Sequence, residues 1–329
     1  MTKLSVLDLA PITQGSTAAQ SFKNSVDVAQ LAEKCGYHRF WLAEHHNIPG
    51  IASAATSVLL SHVGAHTKTI RLGSGGVMLP NHAPLVIAEQ FGTLASLYPD
   101  RIDLGLGRAP GTDGVTAQAL RRTLTGDVDR FPNDVVELQN YFKKAEPNQG
   151  LQAVPGAGLN VPLWILGSSL YGAELAAYLG LPYAFASHFA PTDLHGALKV
   201  YRENFNPSEQ LKEPYVMVAM NLQAADTKEE ADLISTSLMQ GVLHLAKGNP
   251  VQLPPPLEGF ADGLGMQERA AISRFMTYSA IGDADRVRDK LVEFKAATNA
   301  DEIILTAQIF DHKARLRAFE IAAEAMEDL

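Results

Sequence analysis

Apolar residues recur along the chain in two rhythms, and the rhythms alternate. Short β-rich runs such as "LSVLDLA" (4–10) and "HRFWLAEHH" (38–46) are separated by stretches in which apolar residues return every three to four positions, the period of a helix with one buried face. Ser16 or Thr17 can cap the first helix, which runs to Cys35, and Gly36 supplies its stop. The alternation continues with helix 53–66, strand "TIRLGSGGVML" (69–79), helix 84–97 opened by Pro84, and strand "RIDLGLG" (101–107). Strand starts near 4, 38, 69 and 101 are spaced by about one βαβ unit, roughly 30 residues.

The second half predicts strands "VPLWILG" (161–167), "YAFAS" (183–187), "YVMVAMNLQA" (215–224) and "EIILTAQ" (302–308). Helices are expected over 171–180, 191–205, 227–246, 266–278, 283–297 and 312–327. One stretch breaks the rhythm: "KGNPVQLPPPLEGFADGLG" (247–265) holds four Pro and four Gly and reads as an insertion or a mobile lid. Eight strands, each followed by helix, favour a (β/α)8 TIM barrel over a doubly wound open sheet. The first turn, "DLAPITQGST", also lacks the G-x-G-x-x-G of dinucleotide-binding sheets. The expectation is one domain over 1–329, with 247–265 taking up the excess length before the last strand.

Composition narrows the functional classes. With 46% hydrophobic residues over 329 positions, the chain can bury a large core. A net charge of −9 disfavours nucleic acid and anionic membranes as partners, which points to a small ligand. Cys35 is the single cysteine and cannot form an intramolecular disulfide. The start of the chain lacks a leader pattern, and no apolar run approaches the roughly 18 to 20 residues of a membrane span. These features predict a soluble cytoplasmic protein.

In a barrel of this class the reactive groups stand at the C-terminal strand ends. After the second strand comes Glu44-His45-His46. Neighbours in extended chain point to opposite sides, so the two histidines are poorly placed to share a metal ion, and no H-x-H, H-E-x-x-H or cysteine cluster supports them. Either one packs in the mouth while the other is solvated, or a neutral imidazole serves as general base or hydrogen-bond partner. Gly73, Gly75 and Gly76 interrupt the third strand and indicate a bulge beside a planar ligand or a tight barrel corner. Asn81 and His82 beyond them are polar site wall or turn chemistry. Arg108 follows the fourth strand in "GLGRAPGTD" and is a candidate for gripping an anion, with a surface ion pair as the alternative. Ser168 and Ser169 precede a helix and offer an anion site or a plain N-cap. His188 and Phe189 follow the sixth strand and line a ligand or the barrel rim.

Together, "AEHH", "GSGGVMLPNHAPLVIAEQFGTLASLYPDRIDLGLGRAPGTD" and "LGSS" resemble the bacterial luciferase-like, flavin-dependent monooxygenase family, near its uncharacterised single-subunit branch. The likeness extends over nearly the whole barrel, and Gly73 to Asp113 is its most specific part. The resemblance implies a barrel that takes reduced FMN as a diffusible cosubstrate, reacts it with O2 to a flavin 4a-hydroperoxide, and oxygenates a small aldehyde, alkane or ketone. It implies a catalytic role for His45, with His46 beside it, and a non-proline cis peptide at Gly75-Gly76 against the flavin ring. It also implies phosphate contacts from Arg108 and Ser169, aided by backbone near Gly172, with His188 in the same cofactor site. Ser168 stands where luciferase α chains carry Glu. The stretch 247–265 corresponds to the family's mobile loop, whose closure excludes water. An NAD(P)H:flavin reductase is the implied partner, and a homodimer through the helices after strands two and three the implied assembly. The competing readings are a deazaflavin-dependent oxidoreductase of the same superfamily, a noncatalytic flavin-binding protein and, third, a barrel metal hydrolase.

Overall fold

All eight expected strands form and close on one another in the computed structural model, which describes residues 2–109, 114–120 and 130–326. β1 (Lys3–Asp8), β2 (Arg39–Leu42), β3 (Arg71–Met78), β4 (Ile102–Gly107), β5 (Leu163–Gly167), β6 (Tyr183–Phe185) and β7 (Val216–Ala224) pair in chain order, all parallel. β9 (Glu302–Thr306) closes the ring between β7 and β1. Outside run α1 (Ala18–Lys34), α2 (Thr56–Ala65), α3 (Pro84–Leu97), α4 (Gly114–Leu120), α5 (Phe131–Phe142), α6 (Leu170–Leu179), α7 (Leu194–Glu203), α8 (Lys228–Ala246), α9 (Met266–Phe275), α10 (Ala284–Thr298) and α11 (His312–Glu324). Thr17 caps α1 by accepting from the Gln20 amide, and Pro84 opens α3. Among the described residues no helix is long and apolar enough to cross a membrane.

The structure adds two things to the expected order. A ninth strand, β8 (Ser279–Gly282), pairs with the last four residues of β7, starting at Asn221, where the pairing with β9 ends. The stretch between β4 and β5 is a second long one, with α4 and α5 among its described residues, so 247–265 does not account for the excess length alone. Within 247–265 the chain is irregular apart from a short 3-10 turn at Phe260–Gly263 and a single bridge between Leu253 and Thr13. Pro110 to Asp113 of the "GLGRAPGTD" segment lie outside the described residues.

Strand side chains alternate between two apolar regions, as a pleated sheet requires. Val6, Phe40, Leu42, Leu72, Leu104, Val218 and Leu305 face the helices, whereas Leu7, Trp41, Trp164, Ala184, Met217 and Ile304 fill the barrel interior. Trp41 and Trp164 meet edge to face at 5.1 Å. Gly73 has no side chain because Trp41 takes the space: a Cβ there would lie 2.5 Å from the indole nitrogen.

Beneath the tryptophans, at the N-terminal strand ends, the floor is ionic. Arg39 reaches Asp103 at 2.5 Å and Glu302 at 3.1 Å, and Arg71 holds the other oxygen of Asp103 at 2.6 Å. Glu302 also accepts from the hydroxyls of Tyr215, at 2.8 Å, and Ser5. Two cations face two carboxylates with hydrogen bonds to spare, which is what keeps charges tolerable in a buried layer.

Candidate functional site

The same alternation carries particular side chains up to the barrel mouth. The amides of Ala43 and Glu44 still bond to the Asp8 and Gly76 carbonyls, so the chain remains extended past β2. Trp41 and Ala43 lie inside, and His45 follows them onto the inner face. His188 comes from the turn after β6, close enough to His45 for the two to interact, and on β7 the inner Met217 and Ala219 lead to Asn221 and Gln223. Four histidine or amide side chains therefore crown an apolar interior.

Both inner histidines are held neutral. Burial lowers the pKa of His45, assisted by neighbouring His46 and opposed by Glu44. Burial, with His45 nearby, pushes His188 down to about 3. Neither Nδ1 has a hydrogen-bond partner among the described residues. The low His188 value has a consequence for stability. The unfolded chain takes up this proton near 6.5, the folded chain only near 3, so stability is lost as pH falls through that window. Each such group steepens the loss by about 1.4 kcal/mol per pH unit. Urea unfolding of His188→Phe between pH 7 and pH 4.5 should therefore show a shallower decline than the parent, and an identical decline would refute the buried neutral imidazole.

Glu44 and His46 turn the other way, toward the loop after β3. Glu44 is 2% exposed and accepts from the Met78 amide at 3.0 Å. Its Oε1 lies 2.8 Å from His46 Nε2 and 3.0 Å from His82 Nε2, with Asn81 Nδ2 donating at 3.3 Å. Burial opposes the charge of Glu44, but His82, His46 and the Met78 amide together bring its pKa below the ordinary value. The adjacent histidines are thus separated by geometry: His45 over the interior, His46 on a buried carboxylate.

On the adjoining strands lies a surface of a different kind. The Gly75-Gly76 peptide is cis, and the β3–β4 register shifts between Ser74 and Val77. A Cβ on Gly76 would sit 2.8 Å from the Gly105 carbonyl, so bare backbone is required there. Arg108, one residue beyond the Met78–Gly107 pairing, lies with its guanidinium 3.9 Å from the ring centre of Tyr171 in the first turn of α6. Among the described residues it has no carboxylate partner, unlike Arg39, Arg71 and Arg315. Ser169 is the N-cap of α6 yet its hydroxyl makes no cap bond, and Ser168 precedes it. A Cβ on Gly172 would meet Gly167 and the Tyr183 ring at 3.3 Å, so the first turn of α6 sits close on the end of β5. A cation, hydroxyls and a helix N-terminus beside side-chain-free backbone suit a planar ligand ending in an anion.

Residues 247–265 touch the loops after β1 and β2. Leu253 exchanges two backbone bonds of 2.9 Å with Ile12 and Gln14 in the loop after β1, and Gly50 packs against Val251. Other participants were not singled out from the sequence: Glu44 as a hub, Asn221 and Gln223, and Asp8 at the end of β1, held by Arg315 at 2.7 Å. Period-two alternation within "YVMVAMNLQA" was the available signal for Asn221 and Gln223. Among the described residues there is no group of three or more His, Cys, Asp or Glu able to hold a metal ion.

Comparison with known proteins gives a consistent picture. A family model described as luciferase-like monooxygenase matches residues 2–301. A luciferase-like monooxygenase of Escherichia coli K12 is 55% identical over 325 residues, covering 99% of this chain and 97% of its own. The crystal structure of apo-MsnO8 superposes with a TM-score of 0.87 at 35% identity, covering 99% of both chains. The FMN complex of the oxygenating constituent of 3,6-diketocamphane monooxygenase from Pseudomonas putida shares the fold, with a TM-score of 0.71 at 16% identity and coverage of 98% and 97%.

Proposed function

Because the chain belongs to the luciferase-like monooxygenase family, we propose that it is a monooxygenase that uses reduced FMN and O2 to oxygenate a small organic substrate. The observation that carries this reading is the cradle formed by the bare Gly75-Gly76 segment beside Arg108 and the N-terminus of α6. Reduced FMN supplies the two electrons and the centre at which O2 is activated. The residues present fit it: the glycines offer a flat backbone face to a ring system, and Arg108, Ser168, Ser169 and the α6 amides near Gly172 offer charge-assisted bonds to a phosphate. His45, neutral and on the inner face, holds or moves a proton at its imidazole, and His188 lines the same space. Glu44 fixes His46 at the edge of the site.

The stretch 247–265 is proposed to cover the mouth and exclude water, resting on its bonds to the loop after β1. A separate NAD(P)H:flavin reductase is proposed to deliver the reduced flavin, a division of labour consistent with the FMN-bound neighbour being the oxygenating constituent of its system. Homodimerisation through α2 and α3 is supported by their exposed apolar residues: Val58 is 69% exposed, Val86 46% and Leu97 57%.

Anaerobic titration with reduced FMN, followed by mixing with isotopically labelled O2 and a panel of aldehydes and ketones, tests the proposal. Label in the organic product is the expected result. Failure to bind FMN would sink it, tighter binding of a deazaflavin would favour hydride transfer, and binding without product would favour a noncatalytic carrier. The phosphate assignment has its own check. Arg108→Met should weaken FMN by about 10- to 100-fold, the loss of a charge-assisted bond, while leaving riboflavin, which lacks the phosphate, within about twofold.

A further inference from the structure

We propose that the β6–β7 side of the mouth is a hydrogen-bond-accepting subsite that selects an organic substrate carrying an N–H or O–H donor. What becomes of that substrate rests on the monooxygenase reading; its binding does not. Asn221 and Gln223 are fully buried, two residues apart on β7, on the inner face above Met217 and Ala219. Both amides are oriented by backbone carbonyls: Asn221 Nδ2 donates to His188 at 2.7 Å, and Gln223 Nε2 to Gln308 at 3.4 Å. Each carbonyl oxygen is thereby turned away from its anchor, and among the described residues neither Asn221 Oδ1 nor Gln223 Oε1 has a partner. Beside them the Nδ1 of His188 is unpartnered as well.

Three such atoms on one side of a barrel mouth are informative, since roughly nine in ten buried polar groups are satisfied within a protein. Leucine or methionine at these inner positions would fill the same space with no polar atom to satisfy. An amide oxygen only accepts, so the ligand has to donate. The two oxygens belong to residues about 7 Å apart along the strand, within the span of one small functionalised molecule. β7 also stands across the ring from β3, which separates this subsite from the Gly75-Gly76 segment. An unfunctionalised aldehyde or alkane would leave both oxygens unpaired, and sites built to pair polar groups discriminate strongly against ligands that lack the matching donor.

The test uses matched probes on the full chain. Octanamide, N,N-dimethyloctanamide and octanal are titrated separately, with binding read from the fluorescence of Trp41 and Trp164, the chain's two tryptophans, which lie inside the barrel. Octanamide should bind at least about tenfold more tightly than its dimethylated counterpart and than octanal, the difference expected of one unmade buried hydrogen bond or more. Asn221→Leu combined with Gln223→Met should reduce that preference to within about twofold while leaving reduced-FMN affinity unchanged. Equal binding of the two amides, no binding of either, a preference that survives the double substitution, or a loss confined to FMN affinity would each overturn the subsite. An amide preference in a protein that does not bind FMN would keep the subsite and remove the monooxygenase reading.

Discussion

His45→Ala is expected to bind reduced FMN within about twofold of the parent and to form oxygenated product at least about 100-fold more slowly, the scale of a lost acid–base group. Flavin oxidation should continue, with hydrogen peroxide replacing product. The expectation follows from position. His45 is the histidine that strand alternation sets over the barrel interior, its Nδ1 has no partner among the described residues, and burial favours its neutral form, so it can take or hold a proton. His46 cannot stand in for it, because its Nε2 is engaged by Glu44 at 2.8 Å. Single-turnover mixing of the pre-reduced complex with O2, scoring product and peroxide separately, makes the measurement. An unchanged product yield would remove His45 from the chemistry.

The largest effect on stability is expected at the opposite end of the barrel. Glu302→Ala leaves the Arg39 guanidinium with Asp103 alone, in a layer where Arg39 is 8% exposed and Glu302 fully buried. It also strands the hydroxyls of Ser5 and Tyr215. Removing one member of a buried pair costs about 3 to 5 kcal/mol, against a typical total stability of about 5 to 15 kcal/mol. Urea unfolding should register that loss. Arg39→Met combined with Glu302→Met should be no less stable than Glu302→Ala, since it withdraws both charges and leaves the Arg71–Asp103 pair intact. Additive losses from the two positions would mean that the pair itself carries little of the effect.

The barrel was legible because its strands are punctuated by Gly, Pro and helix caps at near-regular spacing, and tertiary packing reinforces each local preference. β8 escaped notice because four residues, Ser279–Gly282, are too short to display a period of their own. α5 was readable in principle from Phe131, Val135, Leu138 and Phe142, which recur at helical spacing on its buried face. The placement of Arg108 and the two serines was legible too, since they directly follow the ends of expected strands. Glu44 was harder to assign, because a carboxylate in sequence reads as solvated until its neighbours His82 and Met78 are brought around it. The floor was invisible for a deeper reason. Ser5, Arg39, Asp103 and Glu302 are scattered from one end of the chain to the other, and they become neighbours only when the last strand closes on the first.

That closure has a kinetic consequence. The ionic lattice, with the paired indoles above it, plugs one end of the barrel, so the proposed ligands have a single way in, from the other end. A molecule that enters past the loops after β1 and β2 has no exit through those side chains. Occupants of a site with one way in leave in the reverse order of their arrival, and the one nearest the opening sets the pace for everything beneath it.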